Sequence, residues 1–165
     1  MRQYCTFSAA GQAYGLDVQH VQEVLRYQEL TRVPLAPAVV RGLINLRGQI
    51  IAALDLRLRL GLPPLPAGRR PVNVVVRTAD GPVSLLADEI GDVLELPESA
   101  LEPPPETLQG TARELIRGTY PLTDRLLLIL DLDKIVTPDD GEAVPGGRAS
   151  AEPPSNGAGA PEYSS

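Results

Sequence analysis

An internal repeat limits what this chain can fold into more than any other feature. Three segments of the first half recur in the second half, two at an offset of 76 residues and one at an offset of 69. Two copies of one unit predict two like lobes related by a pseudo-two-fold axis, each a small twisted barrel. The alternative is chance similarity, because short apolar runs match easily. The matching segments are Val39-Val40-Arg41-Gly42 with Leu115-Ile116-Arg117-Gly118, Leu54-Asp55-Leu56 with Leu130-Asp131-Leu132, and 21–25 with 90–94.

The local pattern within each unit is that of short strands joined by tight turns. Ala10-Gly11, Arg47-Gly48 and Asp80-Gly81 are hairpin signals between alternating or apolar runs. Short helical turns are predicted after Asp17, Asp55 and Asp131, since aspartate is a favoured N-cap. Strands at this spacing indicate a mainly β fold of small barrels. The predicted strands are 3–8, 12–16, 24–27, 41–46, 49–54, 72–77, 83–87, 93–96, 115–119 and 125–130.

Composition divides the chain into a folded body and a tail. Residues 138–165 are built mainly from Pro, Gly, Ala, Ser and Glu. Such a stretch cannot bury enough apolar surface to offset the entropy of ordering, so we expect it to be disordered. The body, 1–137, is expected to hold two pseudo-symmetric lobes, about 1–65 and 66–137, separated by a Pro/Gly-rich connector at 61–71.

The net charge and the amino-acid composition argue against several classes of function. The formal net charge is −6, which disfavours nucleic acid as a partner because its binding depends on neutralised phosphates. Cys5 is the only cysteine, so no internal disulfide or cysteine-based metal site is expected, and a reducing compartment fits. No apolar run approaches the ~20 residues of a membrane span, and Arg2 and Gln3 lead straight into a strand rather than a signal peptide.

Candidate catalytic groups are few. His20 is the only histidine, and it has no serine or cysteine partner at a suggestive spacing. Asp55 and Asp131 could form a hydrolytic pair if they shared one cleft, but helix capping in two separate lobes explains both. No phosphate-binding glycine loop is present. We therefore predict no enzymatic activity, no metal and no cofactor.

Three residues stand out for recognition rather than catalysis. Arg47 lies at a predicted hairpin tip, where a guanidinium suits bidentate pairing with a carboxylate. Glu23 lies between apolar neighbours and could pair with Arg47, with Arg41 or with a partner protein. Gly42 lies where close packing or a bulge could exclude a side chain.

These residues fall in a run that strongly resembles the CheW family of chemotaxis coupling proteins. The resemblance extends over roughly residues 3–136. It is carried by Tyr14-Gly15-Leu16-Asp17-Val18, Val21-Gln22-Glu23-Val24, Thr31-Arg32-Val33-Pro34, Val40-Arg41-Gly42-Leu43-Ile44-Asn45-Leu46-Arg47-Gly48, Leu54-Asp55-Leu56-Arg57, Asp92-Val93-Leu94 and Leu128-Ile129-Leu130-Asp131-Leu132.

The resemblance implies two five-stranded, SH3-like barrels with a hydrophobic core between them. It also implies a non-catalytic adaptor in the bacterial cytoplasm, membrane-associated only through receptor arrays and not inserted in the bilayer. The implied partners are the cytoplasmic tip of chemoreceptors and the regulatory domain of the histidine kinase CheA. By matching position, the receptor-binding residues are Val18, Val21, Glu23, Gly42 and Arg47, and the kinase-binding residues are Val72 and Asn73.

Two departures bear on the second lobe. Asn73 is polar where the family commonly has an apolar residue, and Ser84 stands where a glycine is common. Neither distinguishes flagellar chemotaxis from a related scaffold that serves pili or gene control. A small-barrel nucleic-acid-binding protein is the remote alternative, although the six aromatic residues are not clustered for base stacking.

Overall fold

Ten strands and three short helices make up the part of the chain that the structure, a computed structural model, describes: residues 1–108 and 110–137. The prediction of a disordered tail at 138–165 lies outside the described residues. The strands are β1 (Arg2–Ala9), β2 (Gln12–Asp17), β3 (Val21–Leu25), β4 (Val40–Leu46), β5 (Gln49–Asp55), β6 (Val72–Thr78), β7 (Gly81–Ala87), β8 (Glu89–Leu96), β9 (Ile116–Pro121) and β10 (Leu126–Leu130). The helices are α1 (Leu56–Arg59), α2 (Thr111–Glu114) and α3 (Leu132–Val136), and 3-10 turns span Val18–His20 and Glu98–Ala100.

The strands form two five-stranded sheets, which confirms the predicted mainly β fold of two SH3-like units. One sheet has the order β3-β6-β7-β5-β4 and the other has the order β8-β1-β2-β10-β9. The first belongs to a central lobe, residues 18–87, and the second to a terminal lobe, residues 1–17 and 88–137. In each sheet one parallel pair, β5 with β7 or β2 with β10, joins two antiparallel hairpins.

Neither sheet is built from one half of the chain, which corrects the expected lobes at 1–65 and 66–137. The first repeat unit places β1 and β2 in the terminal sheet and β3 to β5 in the central sheet, and the second unit does the reverse. The repeat itself holds, because β4-β5-α1 and β9-β10-α3 match at the offset of 76 residues. The two units have therefore exchanged their first hairpins: β1-β2 lies in the sheet of the second unit, and β6-β7 lies in the sheet of the first. Each lobe thus combines strands from both units.

Equivalent hydrogen bonds confirm that the two units share one geometry. The backbone N–H of Asp55 donates to the carbonyl of Val39 at 2.7 Å, and that of Asp131 donates to the carbonyl of Leu115 at 2.8 Å. The carboxylates of both aspartates accept a backbone N–H of the helix that follows, from Leu58 and Lys134, respectively. Capping is thus the role of this aspartate in each unit, as predicted.

The core consists of one large apolar cluster between the lobes and a smaller one inside each barrel. A strand such as β6 contributes to two of these clusters, because successive side chains of a strand point to opposite faces of the sheet. Val74 and Val76 belong to the cluster between the lobes, whereas Val75 belongs to the interior of the central barrel. The interior of the terminal barrel is formed by Tyr4, Ala13, Tyr120, Leu127 and Ile129.

A buried ion pair holds the point where the chain returns from the central to the terminal sheet. Asp88, between β7 and β8, accepts from Arg57 of α1 at 3.0 and 2.7 Å, and Arg57 also donates to the carbonyls of Pro63 and Pro64. The other exchange point, between β2 and the turn that precedes β3, has a buried aspartate too. There Asp17 pairs with Arg2, whose side chain is more exposed.

Most strands differ from the prediction by one or two residues at an end, and two strands and one helix differ by more. The strand after the first 3-10 turn is Val21–Leu25 rather than 24–27, because it pairs with β6 from Val21 onward. Strand β8 begins at Glu89, four residues before the predicted start, since it pairs along β1. Helix α2 follows Gly110, which has φ +72°, and was not predicted. Among the described residues, no helix is long and apolar enough to cross a membrane.

Candidate functional site

The two edge strands of the central sheet are joined by an ion pair between Glu23 and Arg47. Glu23 is on β3, at one edge of the sheet, and Arg47 is in the hairpin after β4, at the other edge. The ion pair thus spans the two edges of the sheet, and the bridge between Thr31 and Leu43 brings the segment after β3 against β4, so the sheet closes toward a barrel on this side. Of the three partners predicted for Glu23, the structure selects Arg47, and Arg41 pairs instead with Asp55 at 3.0 Å.

The β4–β5 hairpin presents Arg47 on a stiff two-residue turn. Arg47 and Gly48 have φ values of +53° and +88°, the pattern of a type I′ turn, whose twist matches that of the strands. The N–H of Gly48 donates to the side-chain oxygen of Asn45 at 2.9 Å. About two-thirds of the Arg47 side chain is exposed, at 66%, so the guanidinium is accessible even while it is paired.

Glu23 is the better shielded member of the pair. Its side chain is 24% exposed, and the hydrogen bond from Arg47 lowers the pKa of its carboxyl below the ordinary value. The carboxylate therefore stays ionised at neutral pH. The pair offers a partner one accessible cation and one partly accessible anion, which favours contacts that depend on register.

Three valines lie on the same edge strand or in the turn before it, with Val21 and Val24 on the face of β3 opposite to that of Glu23. Val18, Val21 and Val24 are all half-buried, and Val21 packs against the core between the lobes. The turn that carries Val18 is capped by Asp17, whose carboxylate accepts from the N–H of Gln19 at 2.9 Å. We call Val18, Val21, Val24, Glu23 and Arg47 the β3 surface.

Arg77 positions this edge and was missed by sequence reasoning. It donates to the carbonyls of Gln19 and Val21 at 3.1 and 3.0 Å, and so ties the 3-10 turn and the start of β3 to the end of β6. A single arginine at the end of a strand gives no sequence signal for this role, because its partners are backbone atoms 56 and 58 residues away.

Gly42 is buried next to the β3 surface and not exposed on it. It follows a bulge in β4, and a Cβ atom built on it would be 2.7 Å from the carbonyl oxygen of Thr31. The backbones of Thr31 and Leu43 exchange two hydrogen bonds across this contact, at 2.9 and 2.8 Å. The glycine thus permits a loop to lie against β4, which agrees with the predicted close packing.

Of the two residues predicted to face a kinase, Asn73 points inward and Val72 is half-buried. Asn73 has no exposed surface, accepts from the Ser84 hydroxyl at 2.7 Å and donates to the carbonyl of Arg26 at 3.2 Å. This corrects the expectation that Asn73 contacts a partner, because both polar ends of its side chain are satisfied inside the central barrel. Ser84, the other departure from the family pattern, is the partner that makes a buried amide tolerable. Val72 is half-buried and packs against the core between the lobes.

The candidate catalytic groups are not brought together. Asp55 and Asp131 cap helices in different lobes, so the hydrolytic pair is not formed. His20 is exposed beside an open pocket that Asp131 also lines. Within 1–108 and 110–137, no group of three His, Cys, Asp or Glu side chains is arranged to hold a metal ion.

Most aromatic side chains are unavailable for base stacking. Tyr4, Phe7, Tyr14 and Tyr120 are buried, and the hydroxyls of Tyr4 and Tyr120 are 3.1 Å apart. Burial raises the pKa of Tyr14 to about 12, as expected for a phenol removed from water. Nucleic-acid binding by stacking is not favoured by this arrangement.

Comparisons with known proteins agree on one family. The model of the CheW-like domain matches residues 3–139. The chemotaxis protein CheW of Bacillus subtilis is 31% identical over 140 residues, covering 84% of this chain and 90% of that protein, and CheW of Klebsiella aerogenes is 28% identical over 139 residues, covering 84% of each. The crystal structure of the scaffolding protein CheW from Thermoanaerobacter tengcongensis superposes with a TM-score of 0.76 at 28% identity, covering 86% of this chain and 91% of that one.

Proposed function

Because this chain belongs to the CheW-like family, we propose that it is a scaffold that couples chemoreceptors to the histidine kinase CheA in chemotaxis-type signalling. The observation that carries the proposal is the match over the whole folded body, to relatives named as chemotaxis proteins and to a solved scaffolding protein. The scaffold acts in the cytoplasm, at the receptor arrays. It works by presenting surfaces to other proteins.

The receptor's cytoplasmic tip binds the β3 surface. Half-buried valines supply an apolar floor that loses little entropy on binding, because β-branched side chains have few rotamers. Glu23 and Arg47 at its margin set register and specificity more than affinity. Gly42 contributes from below, by letting the loop at Thr31 approach β4.

The regulatory domain of CheA binds a separate surface that includes Val72. The side chain of Val72 keeps part of its area accessible at the start of β6, whereas Asn73 stabilises the same strand from inside. The two partners then bind without competing. An apolar-to-charged substitution, Val72→Lys, is expected to weaken kinase binding more than receptor binding.

Titration with a receptor cytoplasmic fragment tests the β3 surface. Arg47→Glu removes the accessible cation and is expected to weaken receptor binding at least ~10-fold, a loss typical of an interface hot spot. The melting temperature should change by no more than about 3 °C, because an exposed pair adds little stability. Arg125→Glu is the matched control, since Arg125 is an exposed arginine of the corresponding β9–β10 hairpin in the terminal lobe.

Two outcomes contradict the proposal. Equal losses of receptor affinity in Arg47→Glu and Arg125→Glu would show a general charge effect and not a site. Failure of the unmodified protein to bind either the receptor fragment or CheA from the same genome would reject the scaffold function.

A further inference from the structure

The exchange of hairpins separates charge between the lobes. The central lobe, residues 18–87, has nine arginines and four carboxylates, a formal net charge of +5 with His20 neutral. The terminal lobe, residues 1–17 and 88–137, has five basic residues and twelve carboxylates, a net charge of −7. The body as a whole is nearly neutral, so this polarity appears only when the strands are assigned to their sheets.

Two exposed arginines of the central lobe flank Tyr27, one beside it in the sequence and one over its ring. Arg26 and Arg70 are exposed, and Arg70 lies over the ring of Tyr27 with its guanidinium carbon 4.9 Å from the ring centroid. Neither arginine forms an ion pair with a carboxylate among the described residues. We call Arg26, Tyr27 and Arg70 the arginine patch. Arg26 and Tyr27 directly follow β3, and Arg70 is two residues before β6, which pairs with β3.

The C-terminal segment, residues 138–165, has the complementary charge. It contains five carboxylates and one arginine, and three of the carboxylates, Asp139, Asp140 and Glu142, come within its first five residues. The chain enters this segment from the central-lobe side. Arg59 of α1 donates to the carbonyls of Lys134, Ile135 and Thr137 at 2.7 to 2.9 Å, and so fixes the last described residue against the basic lobe.

Distance allows the segment to reach the patch. Residues 59–70 link the exit point to Arg70 and span at most about 40 Å. The 28 residues of the segment have a contour length of roughly 95 Å, more than twice that separation. A tethered group within this range has an effective concentration of up to about a millimolar, which can populate contacts too weak to form between free molecules.

We propose that the acidic C-terminal segment docks on the arginine patch of its own chain and competes there with acidic partners. Repulsion from the terminal lobe directs the segment away from β8 and toward the central lobe. Individual exposed ion pairs contribute little and are screened by salt, so docking is weak and reversible. Docking itself does not depend on the proposed function, because it needs only the charges of this chain.

Paramagnetic relaxation in the full chain tests the docking. A spin label on S150C is selective because Cys5, the chain's other thiol, is buried and burial raises its pKa. At low salt, the amide signals of Arg26, Tyr27 and Arg70 should lose at least half of their intensity, and those of Asp92 and Val93 on β8 should not. At about 0.5 M salt, where the Debye length is below 5 Å, the intensity should return.

Two variants show whether charge is the cause. Asp139→Asn, Asp140→Asn and Glu142→Gln together neutralise the segment, and Arg26→Gln with Arg70→Gln neutralises the patch. Each set should abolish the broadening. Broadening that persists in the neutralised segment, that is uniform over both lobes, or that arises only from a spin-labelled neighbouring copy would overturn the proposal.

Binding of a ten-residue polyglutamate peptide tests the competition. The neutralised segment should bind the peptide about three- to ten-fold more tightly than the unmodified chain, and the neutralised patch should bind it more weakly. Equal affinities in all three proteins would overturn competition. Since this probe is not a receptor, its failure is distinguishable from failure of the chemotaxis scaffold.

Discussion

The central and terminal lobes have equivalent strand orders, yet among the residues that the structure describes only the central lobe has an ion pair between the two edges of its sheet. In the central lobe, Glu23 and Arg47 join the two edge strands. The corresponding positions of the terminal lobe are Asp92 and Thr123, which cannot form such a pair. Both lobes instead share an isolated bridge onto the other edge strand, Thr31 with Leu43 of β4 and Glu102 with Thr119 of β9. The repeat has kept what the shared fold requires and has changed what faces solvent.

The two exchange points show the same contrast in a buried setting. Asp88 and Arg57 are both nearly inaccessible, with side chains 8% and 10% exposed. Asp17 is equally buried, but its partner Arg2 is 37% exposed and also pairs with Glu98 near the surface. We therefore expect the loss of the arginine to lower the free energy of unfolding by different amounts at these two equivalent points of the fold.

The largest expected effect is that of Arg57→Met. This substitution leaves the Asp88 carboxylate buried without its cation, and breaking a buried pair in this way costs about 3–5 kcal/mol. Urea unfolding at pH 7 measures the loss. Arg2→Met is the matched control at the other exchange point and should cost clearly less, because Arg2 is 37% exposed; each aspartate keeps one backbone hydrogen bond, from Gln19 or from Ala10. Similar losses in the two variants would show that both exchange points are held with equal strength.

Paired glycines should give similar losses in the two lobes. A Cβ built on Gly42 would be 2.7 Å from the carbonyl oxygen of Thr31, and one on Gly118 would be 2.7 Å from that of Glu102. Since backbone cannot yield as a side chain can, Gly42→Ala and Gly118→Ala should each cost about 2 kcal/mol.

Gly15→Ala is the control for the two glycine variants, because the nearest atom there is the flexible end of Ile129 at 3.1 Å. Denaturant midpoints should rank it as the mildest of the three variants. A loss in Gly118→Ala but not in Gly42→Ala would mean that the two loops do not press equally on their strands.

Acid should weaken both exchange points. The hydrogen bond from Arg57 lowers the pKa of Asp88. Burial alone would raise the pKa of Asp17, but hydrogen bonds from Gln19 and Arg2 outweigh it and the pKa is lowered. A carboxyl whose pKa is lower in the folded state stabilises the fold above its unfolded pKa, near 3.8, and loses that contribution as the pH falls further.

The free energy of unfolding should therefore fall from about pH 5 downward. Arg2→Met should reduce the slope of that fall. In this variant, Asp17 keeps only one of the two hydrogen bonds that lower its pKa, the one donated by Gln19. Unfolding curves at several pH values measure both slopes. An unchanged slope would show that Asp17 does not depend on Arg2.

Local chemistry explains which features the sequence could predict. Asp17, Asp55 and Asp131 cap the turns that follow them, since a short acceptor before a turn acts within a few residues. Arg47-Gly48 forms a hairpin for a similarly local reason. The pairing of Glu23 with Arg47 was one of three open possibilities, because residue type alone does not select among cations on different strands.

Features decided by packing could not be predicted. Hairpin exchange depends on which faces of β1, β2, β6 and β7 fit the core between the lobes, and both assignments satisfy the same local pattern. Asn73 illustrates this, because a polar residue at the start of a strand usually faces water, whereas here Ser84 and the carbonyl of Arg26 satisfy it inside the barrel. Strand β8 was predicted too short, since Gly91 interrupts its apolar pattern but fits beside Thr6.

The smallest expected effect concerns the loops that lead into β4 and β9, which can be compared with each other. Each loop has a residue with positive φ, Gly110 in the terminal lobe at +72° and Leu35 in the central lobe at +66°. Leucine is strained there because its Cβ crowds the backbone, whereas asparagine tolerates this region. Leu35 is fully exposed, so its replacement removes no packing. Leu35→Asn should therefore stabilise the protein by about 0.5 kcal/mol, measured as a higher urea midpoint.

Leu58→Asn, at an exposed helical leucine, is the control and should give no such gain. A lower midpoint for Leu35→Asn would show that the Leu35 side chain makes a stabilising contact in solution.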